Sequence, residues 1–529
     1  MRHTVSRLPA GYPLAAVLGA ACAALLLPAD FIWPAPQAAG RSLGDIAQHI
    51  VAQRYFLAEP WGWPLLVAAR LGEEGTNIAL ADGIPLLALA LKLFAPFLPA
   101  GFHGIGLWHA LVMVLQPVAA VFALRCAGET RTLPALAVSL AALSMPAWLA
   151  RHGHAALMGH FLLLFALGLT VVAVRRPGGS VSAWGVVLAV ASLLVHPYLA
   201  VTVLALLGAA PLSLLLRCDR RWVGAAIGAA AAGVAVGLVL ALLGYLGATG
   251  EGGYGNYALN LLSPFWPARS VFFPYIDREI DATGFGGWEG YAWLGTGLGA
   301  AITLVLFGRS AAVARALRRH LGLVLVLLAL TGLAISHRVG VGERIALDIG
   351  PPPAALEQFR ASARFFWPVL YALLVGCFAL VAREFRSGPV LVLAFALTQV
   401  VDAAPNRTAL AGWAAGRAAW SVDAEALRAL IAEAERVTIL PSWPCIPAQA
   451  DATRERVQEL LLLVSERTPP VNTMQLARWP SPPLCRDAET AAQAPALGEL
   501  RLILRDAGTL FGGAGHCVEI GTVLACSGG

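Results

Sequence analysis

"GYPLAAVLGAACAALLLP", residues 11–28, is the first of many apolar stretches in this chain that are long enough to cross a lipid bilayer. The 529 residues are 58% hydrophobic and 13% charged, with a mean hydropathy of +0.71. Soluble proteins carry about 25% charged residues. The composition therefore predicts a polytopic membrane protein. We interpret residues 11–28 as an uncleaved first helix rather than a signal peptide, because "PADFIWP" after it is a poor cleavage site.

Apolar windows of this kind recur as far as residue 402 and predict about eleven transmembrane helices. They lie near 12–28, 104–124, 133–150, 156–174, 181–196, 198–216, 222–246, 291–308, 320–336, 366–382 and 388–402. With the N-terminus inside, the inner segments carry Arg2, Arg7, Arg125, Arg131, Arg175, Arg176, Arg217, Arg220, Arg221, Arg309, Arg315, Arg318, Arg319, Arg383 and Arg386. Because basic residues favour the cytoplasmic side, the sequence predicts the N-terminus in and the C-terminus out.

The apolar segment "DGIPLLALALKLFAPFLP", residues 82–99, tests this topology. Counting it as a span would place the later arginines outside, and it contains Lys92 and three prolines. We therefore interpret it as an interfacial helix in a long first external loop. We expect two further helices in that loop, near 44–58 and 62–71. The three long external loops are 29–103, 247–290 and 337–365.

The composition changes after residue 402, where charged residues, prolines and turn signals become frequent. "RVTIL" and "LRLIL" are typical of strands, and "VDAEALRALIAEAE" and "ATRERVQELLLLVSE" are typical of amphipathic helices. The predicted fold is an all-α transmembrane bundle over residues 1–402, with interfacial helices in the first external loop. A small soluble α/β domain over residues 403–529 follows on the external side.

The eight cysteines divide in the same way. Those of the membrane region lie within or beside spans, where cysteine behaves as a small apolar residue: Cys22, Cys126, Cys218 and Cys377. The tail carries Cys445, Cys485, Cys517 and Cys526. Four cysteines in an external domain predict two disulfides, without selecting among the three pairings. A zinc site is the alternative, although the tail contains no CxxC pair.

Polar side chains collect on the predicted external side. Ionisable groups at the mouth of a helix bundle are costly to desolvate and usually serve function. Each also has an ordinary structural explanation, such as a helix cap, an exposed turn or an arginine that reaches lipid headgroups. Their clustering favours a site, and its candidate residues are Asp45, His49, Asp82, His152, His154, His160, His196, Tyr198, Glu289, Tyr291, Arg360 and Arg364.

The spacing of two pairs indicates their chemistry. Asp45 and His49 are four residues apart and share a face of a helix. Arg360 and Arg364, one helical turn apart, suit bidentate binding of a phosphate or pyrophosphate. The sequence shows no Walker A loop, no GxGxxG opening a helix after a strand and no zinc-finger spacing, so we expect no nucleic-acid partner.

Several segments resemble the C-type (GT-C) integral-membrane glycosyltransferases, and more closely an uncharacterised bacterial branch of that superfamily. They are "GDIAQHIVAQRYFLAEPWGWP", "DGIPLLALALKLF", "HGHAALMGHFLLL", "HPYL", "GGWEGYAWLG" and "FRASARFFWP". The resemblance spans about residues 10–400. It implies an inverting transfer of a sugar from a polyprenyl-phosphate donor to a glycan, lipid or other acceptor of the cell envelope.

The resemblance also suggests roles for the candidate residues. Asp45 matches the catalytic acid of the first loop, with His49 behind it as orienter or metal ligand. The commoner patterns have two adjacent acids or DxD there, so both a divalent cation on Asp45 and His49 and a metal-free reaction remain open. Arg360, Arg364, His160 and His196 would bind the donor phosphate. The substrate-binding candidates are Asp82, His152, His154, Tyr198, Glu289 and Tyr291.

The expected location is the bacterial inner membrane, with the active site and the C-terminal domain facing the periplasm. Trp61, Trp63, Trp266 and Trp288 either stack on sugars or form an interfacial aromatic belt. Two other functions are considered. One is a non-catalytic protein that binds polyprenyl lipids or glycans. The other is a transporter or flippase, which would favour charges at mid-membrane and internal repeats.

Overall fold

The computed structural model describes residues 11–34, 43–248, 250, 252–416, 419–447, 449–476, 478–480, 484–505 and 516–528. Arg2 and Arg7, which we expected on the inner side, lie outside the described residues. The described chain is mostly helical, with a small sheet near its C-terminus. It consists of a helical region up to residue 416 and a mixed region after it.

The helical region is built from helices of very different length. Its α-helices are α1 (Gly11–Leu26), α2 (Ala29–Ile32), α3 (Asp45–Ala58), α4 (Pro85–Lys92), α5 (Ile105–Cys126), α6 (Thr132–Leu143), α7 (Pro146–Leu149), α8 (Phe161–Arg175), α9 (Gly179–Val195), α10 (Pro197–Leu215), α11 (Trp222–Leu242), α12 (Thr296–Gly308), α13 (Ser310–Arg319), α14 (Leu321–Ile335), α15 (Trp367–Glu384), α16 (Gly388–Asp402) and α17 (Ala404–Ala415). Short 3-10 turns lie at Ala95–Phe97, Ala155–Met158, Ser263–Phe265, Ala354–Leu356 and Ser362–Phe366.

Within the described residues, five helices are long and apolar enough to cross a membrane, and counting each of two bent pairs as one span raises the number to seven. The five are α5, α8 with the turn before it, α10, α11 and α15 with the turn before it. The bent pairs are α12 with α13, at 100°, and α16 with α17, at 50°. Helices α1, α6, α9 and α14 are apolar but shorter. These apolar helices indicate a membrane-associated protein.

Glycines allow the N-terminal elements to pack closely on α5. A Cβ atom at Gly19 of α1 would lie 2.3 Å from the carbonyl oxygen of Met113, and one at Gly106 would lie 1.8 Å from that of Phe31. A larger residue at either position would push the backbones apart. Helix α5 is also covered from other sides, and its Trp108 is fully buried. The close approach therefore fixes the first helix beside a central one.

The first predicted external loop is a folded segment that packs on itself. Helix α3 confirms the expectation near 44–58, and α4 occupies part of 82–99 with eight residues, too few to span a bilayer. Lys92 of α4 donates a hydrogen bond to the carbonyl oxygen of Phe56 in α3.

The prediction of a helix near 62–71 is wrong. Strand β1 (Val67–Ala68) pairs there with β2 (Thr76–Asn77) in antiparallel register. The Glu59 carboxylate accepts the backbone N–H groups of Ala69 and Arg70, and these bonds take the place of a helical ladder.

The third predicted external loop, 337–365, contains an antiparallel hairpin of β3 (Arg338–Val341) and β4 (Arg344–Asp348). The mixed region then contains α18 (Ala424–Glu433), β5 (Arg436–Leu440), α19 (Asp451–Val464), α20 (Asp487–Ala492), β6 (Glu499–Leu504), β7 (His516–Ile520) and β8 (Val523–Ser527). A short 3-10 turn, Trp443–Cys445, follows β5. The two strands and two helices predicted from the tail sequence are confirmed by β5, β6, α18 and α19.

The C-terminal strands form one sheet in the order β5-β6-β8-β7, in which β5 and β6 are parallel and the other pairs antiparallel. Two disulfides join Cys445 to Cys485 and Cys517 to Cys526. This is one of the three pairings that the sequence allows. The second disulfide links residues that face each other on neighbouring strands β7 and β8.

The mixed region is bonded to α3. Arg54 of α3 donates to the carbonyl oxygen of Leu462 at 3.2 Å and to Ser465 Oγ at 3.0 Å. The Tyr55 hydroxyl donates to the carbonyl oxygen of Pro469 at 2.6 Å. Because both side chains are almost completely buried, these bonds form away from water and fix the mixed region over the first loop.

Candidate functional site

A cavity of about 450 Å³ lies where the first loop, the ends of several apolar helices and the mixed region meet. Its walls are unusually rich in charge of both signs. Most of the predicted site residues line it: Asp45, Asp82, His154, His196, Tyr198, Glu289, Arg360 and Arg364. The fold therefore brings to one place side chains that are up to about 320 residues apart in the sequence.

Asp45 is the first residue of α3, and it is exposed at the cavity wall. Gly44 before it has a φ of +78°, and its N–H donates to Gln458 Oε1 of the mixed region at 2.9 Å. In the described part of the chain, no group donates a hydrogen bond to the Asp45 carboxylate. The Asp45 carboxylate is thus accessible from the cavity.

Asp82 lies deeper, between two histidines. Its carboxylate oxygens lie 3.5 Å from His154 Nε2 and 3.6 Å from His196 Nε2. Burial raises the pKa of Asp82, but the hydrogen bond to His154 and the nearby His196 and His49 outweigh it and hold that pKa well below its usual range. His196 Nδ1 accepts the N–H of Tyr198, which leaves the proton of a neutral ring on Nε2, facing Asp82.

Glu289 is clamped between two arginines. Arg364 binds it in bidentate geometry, with Nε 3.1 Å from Oε2 and Nη2 2.6 Å from Oε1. Arg151 Nη1 lies 2.9 Å from Oε2, and its Nη2 donates to the carbonyl oxygen of Trp288. Burial raises the pKa of Glu289, but these two guanidiniums outweigh it and lower that pKa below its usual range. The three side chains form a buried, charged support for the cavity wall.

The mixed region supplies the remaining wall. Arg478 Nη2 donates to the carbonyl oxygen of Gln358 at 3.0 Å, and the Arg454 guanidinium lies 5.5 Å from the centre of the Trp443 ring. On the opposite wall, the exposed Arg360 lies 5.6 Å from the Tyr257 ring. Four arginines therefore face the cavity: Arg360, Arg364, Arg454 and Arg478. An anionic group such as a phosphate fits this arrangement.

Four predicted residues do not line the cavity. His49 lies beneath it, completely buried, with its ring 4.9 Å from that of His154. His152 Nδ1 donates to the carbonyl oxygen of Leu149 at 2.8 Å, and its ring faces Trp413. His160 bonds the Tyr371 hydroxyl at 2.8 Å inside the helix bundle. The Tyr291 hydroxyl donates to the carbonyl oxygen of Ala268 at 2.8 Å.

Sequence reasoning missed Arg151, Arg454 and Arg478. Arg151 is adjacent to the histidine-rich turn, and a search for partners of the buried Glu289 would have pointed to it. Arg454 and Arg478 lie in the tail and have no distinctive spacing in the sequence. Only the docking of the mixed region on α3 brings them to the cavity.

Comparisons with known proteins identify a family. A comparison with functionally curated proteins finds no match. The model of the family described as "Domain of unknown function (DUF6311)" matches residues 16–404, and the model of the DUF6311 C-terminal domain matches residues 426–528. The two matches divide the chain where the helical region gives way to the mixed one. Since the first match alone covers well over half of the chain, the protein belongs to the DUF6311 family.

Proposed function

We propose that the protein transfers a sugar from a polyprenyl-phosphate donor to an acceptor of the cell envelope, at the external face of the membrane. The observation that carries this proposal is the cavity at the end of the apolar helices. It combines the exposed carboxylate of Asp45 with four arginines and three further acids, Asp82, Glu289 and Glu357. A sugar linked to a lipid phosphate has an anionic group beside an apolar tail. The arginines of the cavity suit the first, and the apolar helices that end at the cavity suit the second.

The proposed topology has eleven spans, the N-terminus in the cytoplasm and the C-terminal domain in the periplasm of a bacterial inner membrane. Charge along α15 supports this orientation. Arg364 precedes the helix at the cavity, and Arg383 lies at its other end, beside Arg175 and Arg319 around a second cavity. A surplus of arginine at that second end suits the cytoplasmic side.

The proposed reaction is a single displacement. The Asp45 carboxylate takes the proton of an acceptor hydroxyl while the hydroxyl oxygen forms a bond to the anomeric carbon of the sugar. The bond from that carbon to the phosphate oxygen breaks, and the lipid phosphate leaves with the electron pair. Arg360, with Arg454 and Arg478, stabilises the negative charge that develops on it. Attack from the opposite side inverts the anomeric centre.

The sequence suggested that Arg364 binds the donor phosphate, and we propose a different role for it. Its guanidinium is already bound by both oxygens of Glu289, and it lies 4.9 Å from the Tyr198 ring. A bidentate pair of this kind holds the guanidinium in one orientation. We therefore propose that Arg364 contributes a fixed positive charge, while the other three arginines contact the phosphate.

Replacing Asp45 by Asn tests the proposal. Loss of a general base lowers the rate by about 10²–10⁴-fold, so mass spectrometry of lipid-linked sugars and envelope glycans should show the product missing. The assay compares cells that lack the gene and express wild-type chain, Asp45→Asn or a matched control. Asp277→Asn is that control, because Asp277 is an exposed acid outside the cavity.

The outcomes separate the functions. Loss of product in Asp45→Asn with normal membrane levels of the variant supports a transferase. Full product formation by Asp45→Asn contradicts the proposed mechanism. A glycan profile that does not differ between cells with and without the wild-type gene contradicts the transferase function itself.

A further inference from the structure

Three side chains at and beneath the floor of the cavity lie close enough together to bind one metal ion. His49, Asp82 and His154 each offer one nitrogen or oxygen, and these atoms all lie within 4.8 Å of one another. The residues come from α3, from the segment before α4 and from the turn before α8. Long-range folding rather than local sequence therefore builds this cluster.

The histidines of the cluster have polar atoms without partners. Both ring nitrogens of His49 and Nδ1 of His154 are buried and have no hydrogen-bond partner in the described part of the chain. Nearly all buried polar atoms in proteins are bonded, so orphaned nitrogens call for an explanation.

The neighbour His196 completes the arrangement. Its Nδ1 is occupied by the N–H of Tyr198, so its Nε2–H faces Asp82 Oδ1 at 3.6 Å. A donor that orients a ligating carboxylate in this way is the usual outer support of a metal site. Asp82 also adopts a left-handed backbone conformation, with φ of +49°, which a non-glycine residue rarely adopts.

We propose that His49, Asp82 and His154 bind one divalent ion of the zinc type. Two imidazoles and one carboxylate form a set that late first-row metals prefer, whereas Mg²⁺ and Ca²⁺ prefer oxygen ligands throughout. Ligand atoms around tetrahedral zinc are about 3.3 Å apart, so the three side chains move closer together when they bind the ion.

This metal site differs from the one suggested by the sequence, which paired Asp45 with His49. Asp45 is the exposed residue at the cavity wall, and the buried His49 ring faces His154 instead. The inference stands on the geometry of the cluster and does not require the transferase reaction. Its test therefore measures the metal and not the activity.

The experiment uses the full chain purified in detergent, stripped with a chelator and titrated with Zn²⁺ against a chromogenic competitor. We expect one Zn²⁺ per wild-type chain. His154→Gln and Asp82→Asn should lose stoichiometric binding, and His196→Gln should weaken it about 10–100-fold. His152→Gln is the matched control: it lies in the same turn but outside the cluster, and it should keep one Zn²⁺.

A second measurement does not depend on how the variants fold. Co²⁺ added to the stripped wild-type chain should give the intense visible absorption of a tetrahedral site with nitrogen and oxygen ligands. Absence of stoichiometric Zn²⁺ in the wild type, or a weak octahedral cobalt spectrum, overturns the proposal. Wild-type affinity in both His154→Gln and Asp82→Asn overturns it as well.

Discussion

Two cavities of nearly equal volume differ completely in chemistry. The first, about 450 Å³, lies before α15 and is lined by acids, arginines and histidines. The second, about 480 Å³, runs along α15 from Val369 to Arg383 between apolar side chains. Its ionisable residues are all basic: Arg175, Arg315, Arg319, His320 and Arg383. Volume therefore does not distinguish a site for chemistry in this fold. Charges of opposite sign, held in place by specific contacts, distinguish it.

The largest effect is expected for Glu289→Gln in the first cavity. This change leaves Arg151 and Arg364 without the carboxylate that both of them bind, and both side chains are nearly buried. Breaking a buried pair in this way costs about 3–5 kcal/mol, because an uncompensated charge remains. Thermal unfolding of the purified chain in detergent should show a clear fall in the midpoint.

The control is Glu343→Gln, which removes the partner of Arg278 from an ion pair whose side chains are 73% and 81% exposed. Exposed pairs contribute little, so its midpoint should match that of the wild type. Equal midpoints for Glu289→Gln and Glu343→Gln would show that the clamp does not stabilise the cavity. The contrast between the two cavities would then lose its structural basis.

Many of the helices could be predicted, because they correspond to long apolar runs in the sequence. Helix α3 and strands β5 and β6 were predictable from their local sequence patterns. The interval 62–71 was not, since Glu59 captures the N–H groups of Ala69 and Arg70 and so replaces helical bonding. Such a bond depends on a particular side chain reaching a particular backbone position.

The site was predictable only in part. Topology alone suggested that Asp45, Asp82, Glu289, Arg360 and Arg364 share one side, and they line one cavity. The residues that the mixed region contributes to the site could not be predicted from the sequence. They reach the cavity through contacts such as that of Gly44 with Gln458, which are 414 residues apart. The side chain next to His49 could not be predicted either. Helical spacing suggested Asp45, whereas in the structure the His154 ring packs against the His49 ring.

An intermediate effect is expected for Arg478→Ala, which tests whether the mixed region belongs to the first cavity. A hydrogen bond to a charged group contributes about 1.5–3 kcal/mol, so loss of one phosphate contact should weaken donor use roughly 10–100-fold. The measurement is product formation in membranes at several donor concentrations. Arg436→Ala is the matched control, since Arg436 is an exposed arginine at the start of β5 and outside the cavity. Equal activity of the two variants would show that Arg478 of the mixed region does not contribute to the site.

The smallest effect is expected in the second cavity, for Arg319→Ala. Arg319 is exposed, and its neighbours Arg175 and Arg383 are also basic, so removing one charge relieves repulsion instead of breaking a pair. Stability should change by no more than about 0.5 kcal/mol, and product formation should stay at the wild-type level. Arg318→Ala, one residue earlier and outside this cavity, provides the comparison in the same two assays. A large loss of product in Arg319→Ala alone would mean that the basic cavity takes part in the reaction, because a change of surface charge acts equally at both positions.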